Sequence, residues 1–387
     1  MKVAFVTPWY GPDLPGGAET EVRQTAEHLA RAGLEVEVLT TCIKDLYADW
    51  GRNDHRPGVE VINGVVVRRF PVGKRDRTAF DQVNWRLMNN LPITAGQEKT
   101  YIEEMFRVPA LYEYIEGHKE EYVFFFIPYL FATTYYGAQI CPERSWIIPC
   151  LHDESYARLG LYRKVLPRVR GLVLNAEAER QLVAKFFGQD DRQRRVVVGM
   201  GVGTDFPYDA GRFRRKYNLD APFVLYAGRR EGGKNTPLLL DYWRRYGRPD
   251  VKLVLIGSGE VVVPAGLEDR VVDLGFVSLQ DKYDTYAAAT VLCQPSLHES
   301  FSIVIMESWL TGRPVLVHGD CAVTREHCQE ANGGLYFTDY EEFAATLDYL
   351  LDHPATADLM GRQGRQYVLA NFRWEVIVER YKRLIEM

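Results

Sequence analysis

Val291-Leu292-Cys293-Gln294-Pro295-Ser296-Leu297-His298-Glu299-Ser300-Phe301-Ser302-Ile303-Val304-Ile305-Met306-Glu307-Ser308-Trp309 decides how this chain folds. The apolar run Val291–Gln294, closed by a proline, reads as a buried strand, and the apolar stretch from Ile303 reads as a helix. Glu299 therefore stands at a strand-to-helix crossing. Glu307 lies about two turns into the helix. A carboxylate among Ile303, Val304, Ile305, Met306 and Trp309 is costly to bury unless something hydrogen-bonds it. A ribose diol is one such partner, and an internal salt bridge is another. The amides of Ser300 to Ser302, at the start of a helix, suit a phosphate.

The same strand–helix rhythm extends outward from this unit. Strands are expected at Phe223–Ala227, Lys252–Ile256, Val271–Leu274, Pro314–Val317 and Leu335–Phe337, and from Tyr340 the chain reads as helix to its end with Pro354 as the one break. Upstream of a polar, basic stretch at Gly203–Pro222, a second series holds Lys2–Thr7, Val36–Thr40, Tyr122–Ile127, Trp146–Cys150, Gly171–Leu174 and Val196–Val198. Val22, Ala26, Leu29 and Ala30 mark the first helix, which Gly33 stops. Helical connections between short apolar runs favour parallel strands, since antiparallel neighbours need only a turn. The exception is a hairpin, Val59–Ile62 and Val65–Arg69 around Asn63-Gly64. Each series suffices for a sheet of about six or seven strands. The prediction is an α/β fold of two Rossmann-like domains whose parallel sheets face each other across a cleft, with ligands at the carboxyl ends of the strands.

Composition agrees and removes other classes. A chain of 387 residues exceeds what one core usually serves. Its 47% hydrophobic and 26% charged residues exclude wholesale disorder, collagen-like repeats and a coiled-coil rod. Forty-seven basic against 52 acidic residues, a net charge of -5, speak against a nucleic-acid partner. Six scattered cysteines, without C-x-x-C pairs or histidines at zinc spacing, read as buried thiols of a reduced compartment. No apolar run approaches the about 18 residues of a membrane span, and that at the N-terminus is too short for a signal peptide. A soluble, cytoplasmic chain is expected.

Two glycine-rich loops invite chemistry. Gly16-Gly17-Ala18-Glu19 follows the first strand and opens its helix, where backbone amides can meet an anion; a plain tight turn is the alternative. A nicotinamide site is disfavoured, because G-x-G-x-x-G is missing and the second strand ends in Thr40-Thr41 without a ribose-binding acid. Gly228-Arg229-Arg230-Glu231-Gly232-Gly233-Lys234 fits G-x-x-x-x-G-K, but Asn235 replaces the Ser or Thr that holds magnesium in a P-loop. The metal site is lost and the phosphate logic remains. Arg229 offers a fork of donors and Lys234 a point charge, both suited to a diphosphate; a solvated basic loop is the other reading. Two further basic groups, Arg158–Arg170 and Arg68–Arg77, read as solvated surface, or more sharply as contacts to an anionic acceptor or lipid headgroups. Tyr122–Phe126 reads as a buried strand, and His298 as polar lining.

Glu299, seven intervening residues and Glu307 resemble the E-x7-E signature of the family-4 retaining glycosyltransferases, which have the GT-B fold. Gly16-Gly17-Ala18-Glu19, Gly228-Arg229 with Lys234, Gly257-Ser258-Gly259, Leu274-Gly275-Phe276-Val277-Ser278 and Gly312-Arg313-Pro314-Val315 fall in the family's order and spacing. The resemblance implies an N-terminal acceptor-side domain over 1–205 and a C-terminal donor domain over 206–371, with a helix over about 372–387 crossing back to the first. It implies that Glu307 binds the donor ribose, that Glu299 lies near the donor sugar's hydroxyls, that Arg229 and Lys234 neutralise the diphosphate, and that His152 lies against the sugar. Gly17, beside Gly16, matches the loop glycine near the phosphate and acceptor, the segment Ser300, Phe301 and Ser302 offers amides, and backbone groups around Phe276, Val277 and Ser278 would frame the nucleobase. Ser300 departs from the glycine many members carry and leaves the donor's identity open.

The implied activity is retaining sugar transfer from a nucleotide-diphosphate sugar, a UDP- or GDP-sugar, in glycan, polysaccharide or glycoconjugate biosynthesis. No metal and no cofactor are implied, since the donor is a substrate. The acceptor would be a carbohydrate, a lipid-linked glycan or a small molecule, and peripheral association with the inner membrane face is compatible with it. A nucleotide-sugar epimerase of the same fold and a non-catalytic nucleotide-sugar-binding subunit are the rival readings.

Overall fold

The computed structural model describes residues 2–190, 192–230 and 232–387. The chain divides into two compact units, one running to Gly201 and including Ile377–Met387, the other Val202–Val376. Among the described residues the first unit holds an eight-stranded sheet and the second a six-stranded sheet.

The first unit contains β1 (Lys2–Thr7), α1 (Gly17–Arg31), β2 (Val36–Thr41), β3 (Gly58–Ile62), β4 (Val65–Phe70), α2 (Arg77–Met88), α3 (Ala95–Glu103), α4 (Pro109–His118), β5 (Tyr122–Phe126), α5 (Ala132–Gly137), β6 (Ser145–Ile147), β7 (Gly171–Leu174), α6 (Glu177–Phe187) and β8 (Arg194–Val197). Strand order is β3-β4-β2-β1-β5-β6-β7-β8. Central strands covered on both faces need continuous apolar runs, and every residue of Tyr122–Phe126 is buried, Phe125 stacking on Phe5 at 5.3 Å. Asn63 and Gly64 have φ of 50° and 83°, the positive pair a two-residue hairpin requires, and β3 runs antiparallel to β4.

Three expectations are corrected here. The sheet has eight strands rather than six or seven, because β3 extends its edge. The strand expected over Trp146–Cys150 ends at Ile147: Pro149 has no N–H for a ladder, and Cys150 takes φ 51°, outside extended geometry. The basic group Arg68–Arg77 is not one solvated face. Arg69 is buried and binds Glu60 and the Tyr10 carbonyl, Arg68 binds Glu37 at 2.7 Å, and the Arg75 guanidinium is buried 3.7 Å from Asp49. Arg158, Arg163, Lys164 and Arg168 are exposed.

The second unit contains α7 (Ala210–Tyr217), β9 (Phe223–Ala227), α8 (Thr236–Arg245), β10 (Lys252–Ile256), β11 (Val271–Gly275), α9 (Leu279–Ala288), β12 (Val291–Gln294), α10 (Ile303–Leu310), β13 (Val315–His318), α11 (Ala322–Ala331), β14 (Gly334–Phe337), α12 (Tyr340–Asp352) and α13 (Pro354–Asn371). Its strands are parallel in the order β11-β10-β9-β12-β13-β14. The chain winds outward from β9 in one direction and then in the other, so the order reverses between β9 and β12, where open α/β sheets bind ligands. A helix apolar on all sides must be buried; α10 is, and Trp309 donates to the Gly333 carbonyl at 2.7 Å. After α13 the helical tail breaks a second time, at Phe372–Arg373, before α14 (Trp374–Glu386). Tyr381 of α14 packs on Phe5 and Phe125 in the first unit's core.

All six cysteines are free and buried. Among the described residues no helix is long and apolar enough to cross a membrane.

Candidate active site

In the second unit the site builds from the reversal point outward. After β9 the backbone turns at Gly228, whose amide donates to the Ile256 carbonyl at 3.0 Å, while Arg230 N donates to the Ser258 carbonyl at 2.8 Å. The end of β10 must therefore tolerate a second backbone lying on it. A Cβ at Gly257, where φ is 129°, would stand 1.9 Å from the Gly228 carbonyl oxygen. That contact is the physical reason for Gly257-Ser258-Gly259. Arg230 is buried and its guanidinium binds Asp273 and the Gly259 carbonyl, so the half-buried Arg229 springs from a tethered loop. Glu231 lies outside the described residues. Gly232–Lys234 form one 3-10 turn, and Asn235, left-handed at φ 59°, precedes α8 and donates from Nδ2 to the Pro295 carbonyl at 3.1 Å.

That last bond ties the loop after β9 to the loop after β12. There Lys234 Nζ lies 2.8 Å from Glu299 Oε1, with the two side chains 22% and 10% exposed. Ser302 takes φ 72° immediately before α10, and its hydroxyl is buried without a partner among the described residues. A non-glycine residue in this region costs on the order of 1–3 kcal/mol, and such strain gathers at functional loops. The Phe301 side chain is in the core, edge-on to His327 and Phe372, so this residue can offer only its backbone outward. Ser300 is half-buried.

The buried Glu307 has the internal salt bridge that the sequence left as one of two options. Lys282 Nζ stands 2.5 Å from Oε1, and the Tyr286 hydroxyl donates to Oε2 at 3.1 Å. Burial, with Glu307 beside it, holds the Tyr286 hydroxyl far above its usual range, so it stays a donor. A carboxylate accepts at about four lone-pair positions, so these two bonds leave acceptor capacity for a diol. Lys282 and Tyr286 were not among the expected site residues. They share one face of α9 at i and i+4, a weak signal without knowing that α9 meets α10. Phe276 is 82% exposed at the end of β11, Val277 is half-buried, and Ser278 caps α9.

Gly16, Gly17 and His152 lie in the first unit. Gly16 is the N-cap of α1 at φ 134°, and a Cβ there would strike the Glu19 carboxylate, which accepts from Trp9 Nε1 at 2.8 Å. A Cβ at Gly17 would meet no atom within 4 Å, so packing does not demand that glycine. His152, half-buried, follows Leu151, whose amide donates to Glu179 Oε1 at 2.6 Å. Among the described residues no three His, Cys, Asp or Glu side chains converge as metal ligands.

Two parallel α/β units, each with its glycine-rich loops at the carboxyl ends of strands, define the GT-B architecture. Sucrose-phosphate synthase of Thermosynechococcus elongatus is similar with a TM-score of 0.75 at 19% identity, over 99% of this chain and 98% of that one. HepE of Anabaena in complex with UDP-glucose is similar with a TM-score of 0.69 at 17% identity, over 100% and 99%. Residues 221–353 match the family model for glycosyl transferases group 1. A D-inositol 3-phosphate glycosyltransferase of Saccharomonospora viridis is 25% identical over 401 residues, 93% of this chain and 86% of the relative. Residues 221–353 are thus similar to the glycosyl transferases group 1 family, and along most of its length the chain is similar to a glycosyltransferase.

Proposed function

We propose that this chain is a family-4 glycosyltransferase, retaining and metal-independent, and that it moves a sugar from a nucleotide-diphosphate donor, a UDP-sugar first and a GDP-sugar second, to a carbohydrate, lipid-linked glycan or small-molecule acceptor. One observation carries the reading: at the reversal point of the second sheet, Lys234 and Glu299 meet at 2.8 Å beside the helix that buries Glu307. Glu307 would accept from the ribose diol and Glu299 from the sugar's hydroxyls. Arg229 and Lys234, with the amides of Ser300 to Ser302, would take up charge as the bond from the anomeric carbon to the phosphate oxygen breaks. The acceptor oxygen bonds that carbon from the same face, and its proton passes to the departing phosphate. Positioning and preorganised charge then supply the rate. The resemblance assigns Gly17 and His152 to the phosphate and sugar, the donor to the second unit and the acceptor to the first. The UDP-glucose bound by HepE supports uridine as the first nucleotide to try.

Thermal shift with EDTA present, across UDP-, GDP-, ADP- and dTDP-sugars, tests the donor. Stabilisation by one nucleotide family, lost in Glu307→Ala, is expected. Silence across the panel, or release of an epimerised sugar without any acceptor, overturns the reading.

A further inference from the structure

Glu21, on α1, is 2% exposed, and Asn175, which follows β7, is 1% exposed. Asn175 Nδ2 donates to Glu21 Oε2 at 3.0 Å, and the Cys150 thiol approaches the same oxygen at 3.5 Å. The other oxygens of both side chains, Glu21 Oε1 and Asn175 Oδ1, are buried and without partners among the described residues. Two orphaned acceptors on one joined pair are expensive in a dry interior. One proton resolves both, because a hydroxyl at Glu21 Oε1 can donate to the amide oxygen of the side chain it already accepts from.

We infer that Glu21 is held as the neutral carboxylic acid paired with the Asn175 amide, and that this pair, with Glu179, positions the segment Cys150–His152. The link to turnover rests on the proposed role of His152. The titratable groups around Glu21 are Cys150 from the loop after β6, Glu179 from α6 and Tyr381 from α14, and Glu19 of its own helix acts on Cys150. All are acids, so none brings a counter-charge to an ionised Glu21, and the Cys150 thiol offers it only a hydrogen bond. Burial pushes the Glu21 carboxyl up to about 7 against the pull of Asn175 and Cys150, and burial pushes Glu179 up to about 8.

Glu179 ties the same two segments a second time, accepting from the amides of Leu151 and Asn175 at 2.6 Å each. This double tether fits the backbone it holds. Cys150 sits at φ 51°, a strained setting that persists only where its surroundings over-determine it. His152 is two residues further on. An anion at Glu21 would face Glu179 across Asn175 and strip the amide oxygen of its donor, loosening the segment that carries the histidine.

The test uses the full chain. Infrared spectra at neutral pH should show a protonated-carboxyl C=O band that Glu21→Gln removes; the absence of any lost band overturns the protonation. Glu21→Gln, which can still donate, should keep most of its turnover and flatten the decline above about pH 7. Glu21→Ala should lose about a hundredfold in kcat with donor KM little changed, the scale for a misplaced group. Equal damage in Gln and Ala variants at every pH overturns the neutral acid. Losses that add between Glu21→Ala and His152→Ala overturn the route through His152. Should His152→Ala turn over normally, the role of the histidine falls, while the infrared measurement still decides the proton. If Glu21→Ala does not fold, the pH profile of Glu21→Gln decides.

Discussion

Lys234 Nζ and Glu299 Oε1 lie 2.8 Å apart although 65 residues separate them in the chain. One follows β9 and the other β12, the two strands between which the order of the sheet reverses. Each is the other's counter-ion, so neither is a lone charge in a half-dry loop. A donor diphosphate would draw Lys234 from this partner and free Glu299 for the sugar. Lys234→Met should therefore lower single-turnover transfer by about 10²–10³ at saturating donor, the cost of one preorganised donor. Arg229→Ala should lose about 3–4 kcal/mol of transition-state stabilisation on the same grounds. Near-normal transfer in either variant removes that residue from the charge-stabilising set.

Glu307 and Lys282 make a sharper test, because the same pair affects affinity and stability in different ways. Glu307→Ala should weaken nucleotide binding by about 1.5–3 kcal/mol in calorimetry. Lys282→Met should cost more folding stability than Glu307→Ala, about 3 kcal/mol, since it strands a carboxylate whose side chain is 7% exposed. The reverse change strands a lysine that is 30% exposed and can reach water. Urea unfolding compares the two variants, and a larger loss in Glu307→Ala contradicts the argument.

What the sequence disclosed and what it hid divide along a physical line. Glu299, Glu307, Gly16-Gly17 and Gly228–Lys234 are contiguous with a switch from strand to helix periodicity, so their places could be read locally. Lys282 and Tyr286 could not, because their meaning comes from α9 packing on α10. Arg68 and Arg69 looked like one basic surface, yet successive strand residues face opposite sides; Arg69 turns inward to Glu60 and the Tyr10 carbonyl, and Arg68 to Glu37. Glu21 reads as an ordinary polar position on an amphipathic helix. Only its burial against Asn175 and Cys150 reveals otherwise.

Gly257→Ala should impair a site it carries no chemistry for. The new methyl would collide with the Gly228 carbonyl oxygen, and backbone cannot rotate aside as a flexible side chain can. The φ of 129° adds strain of about 1–3 kcal/mol. The loop bearing Arg229 must lift from β10 or the strand must shift. Turnover should fall together with stability, and the activity lost should exceed the fraction unfolded. Normal activity in the folded variant would show that the tether does not set the position of Arg229.

The buried carboxyls predict an unusual pH dependence of stability. Burial pushes Glu21 and Glu154 up to about 7 and Glu179 up to about 8, from an ordinary 4.5. The folded chain keeps protons there that the unfolded chain has released, so this contribution is complete below 4.5 and is lost as pH rises through about 8. His327 works in the other direction. Burial lowers it from 6.5 to about 3, so the unfolded chain binds the proton and stability rises until pH passes 6.5. The opposing slopes cancel in part between 4.5 and 6.5, while above 6.5 the carboxyls act alone. The free energy of unfolding should then fall between pH 6.5 and 8 by about 2–3 kcal/mol. Glu179→Gln should flatten about half of that decline, and nearly all of what remains near pH 8, because its proton is the last to leave. A wild-type stability that is level or rising across this interval would mean that these groups are ionised in the fold.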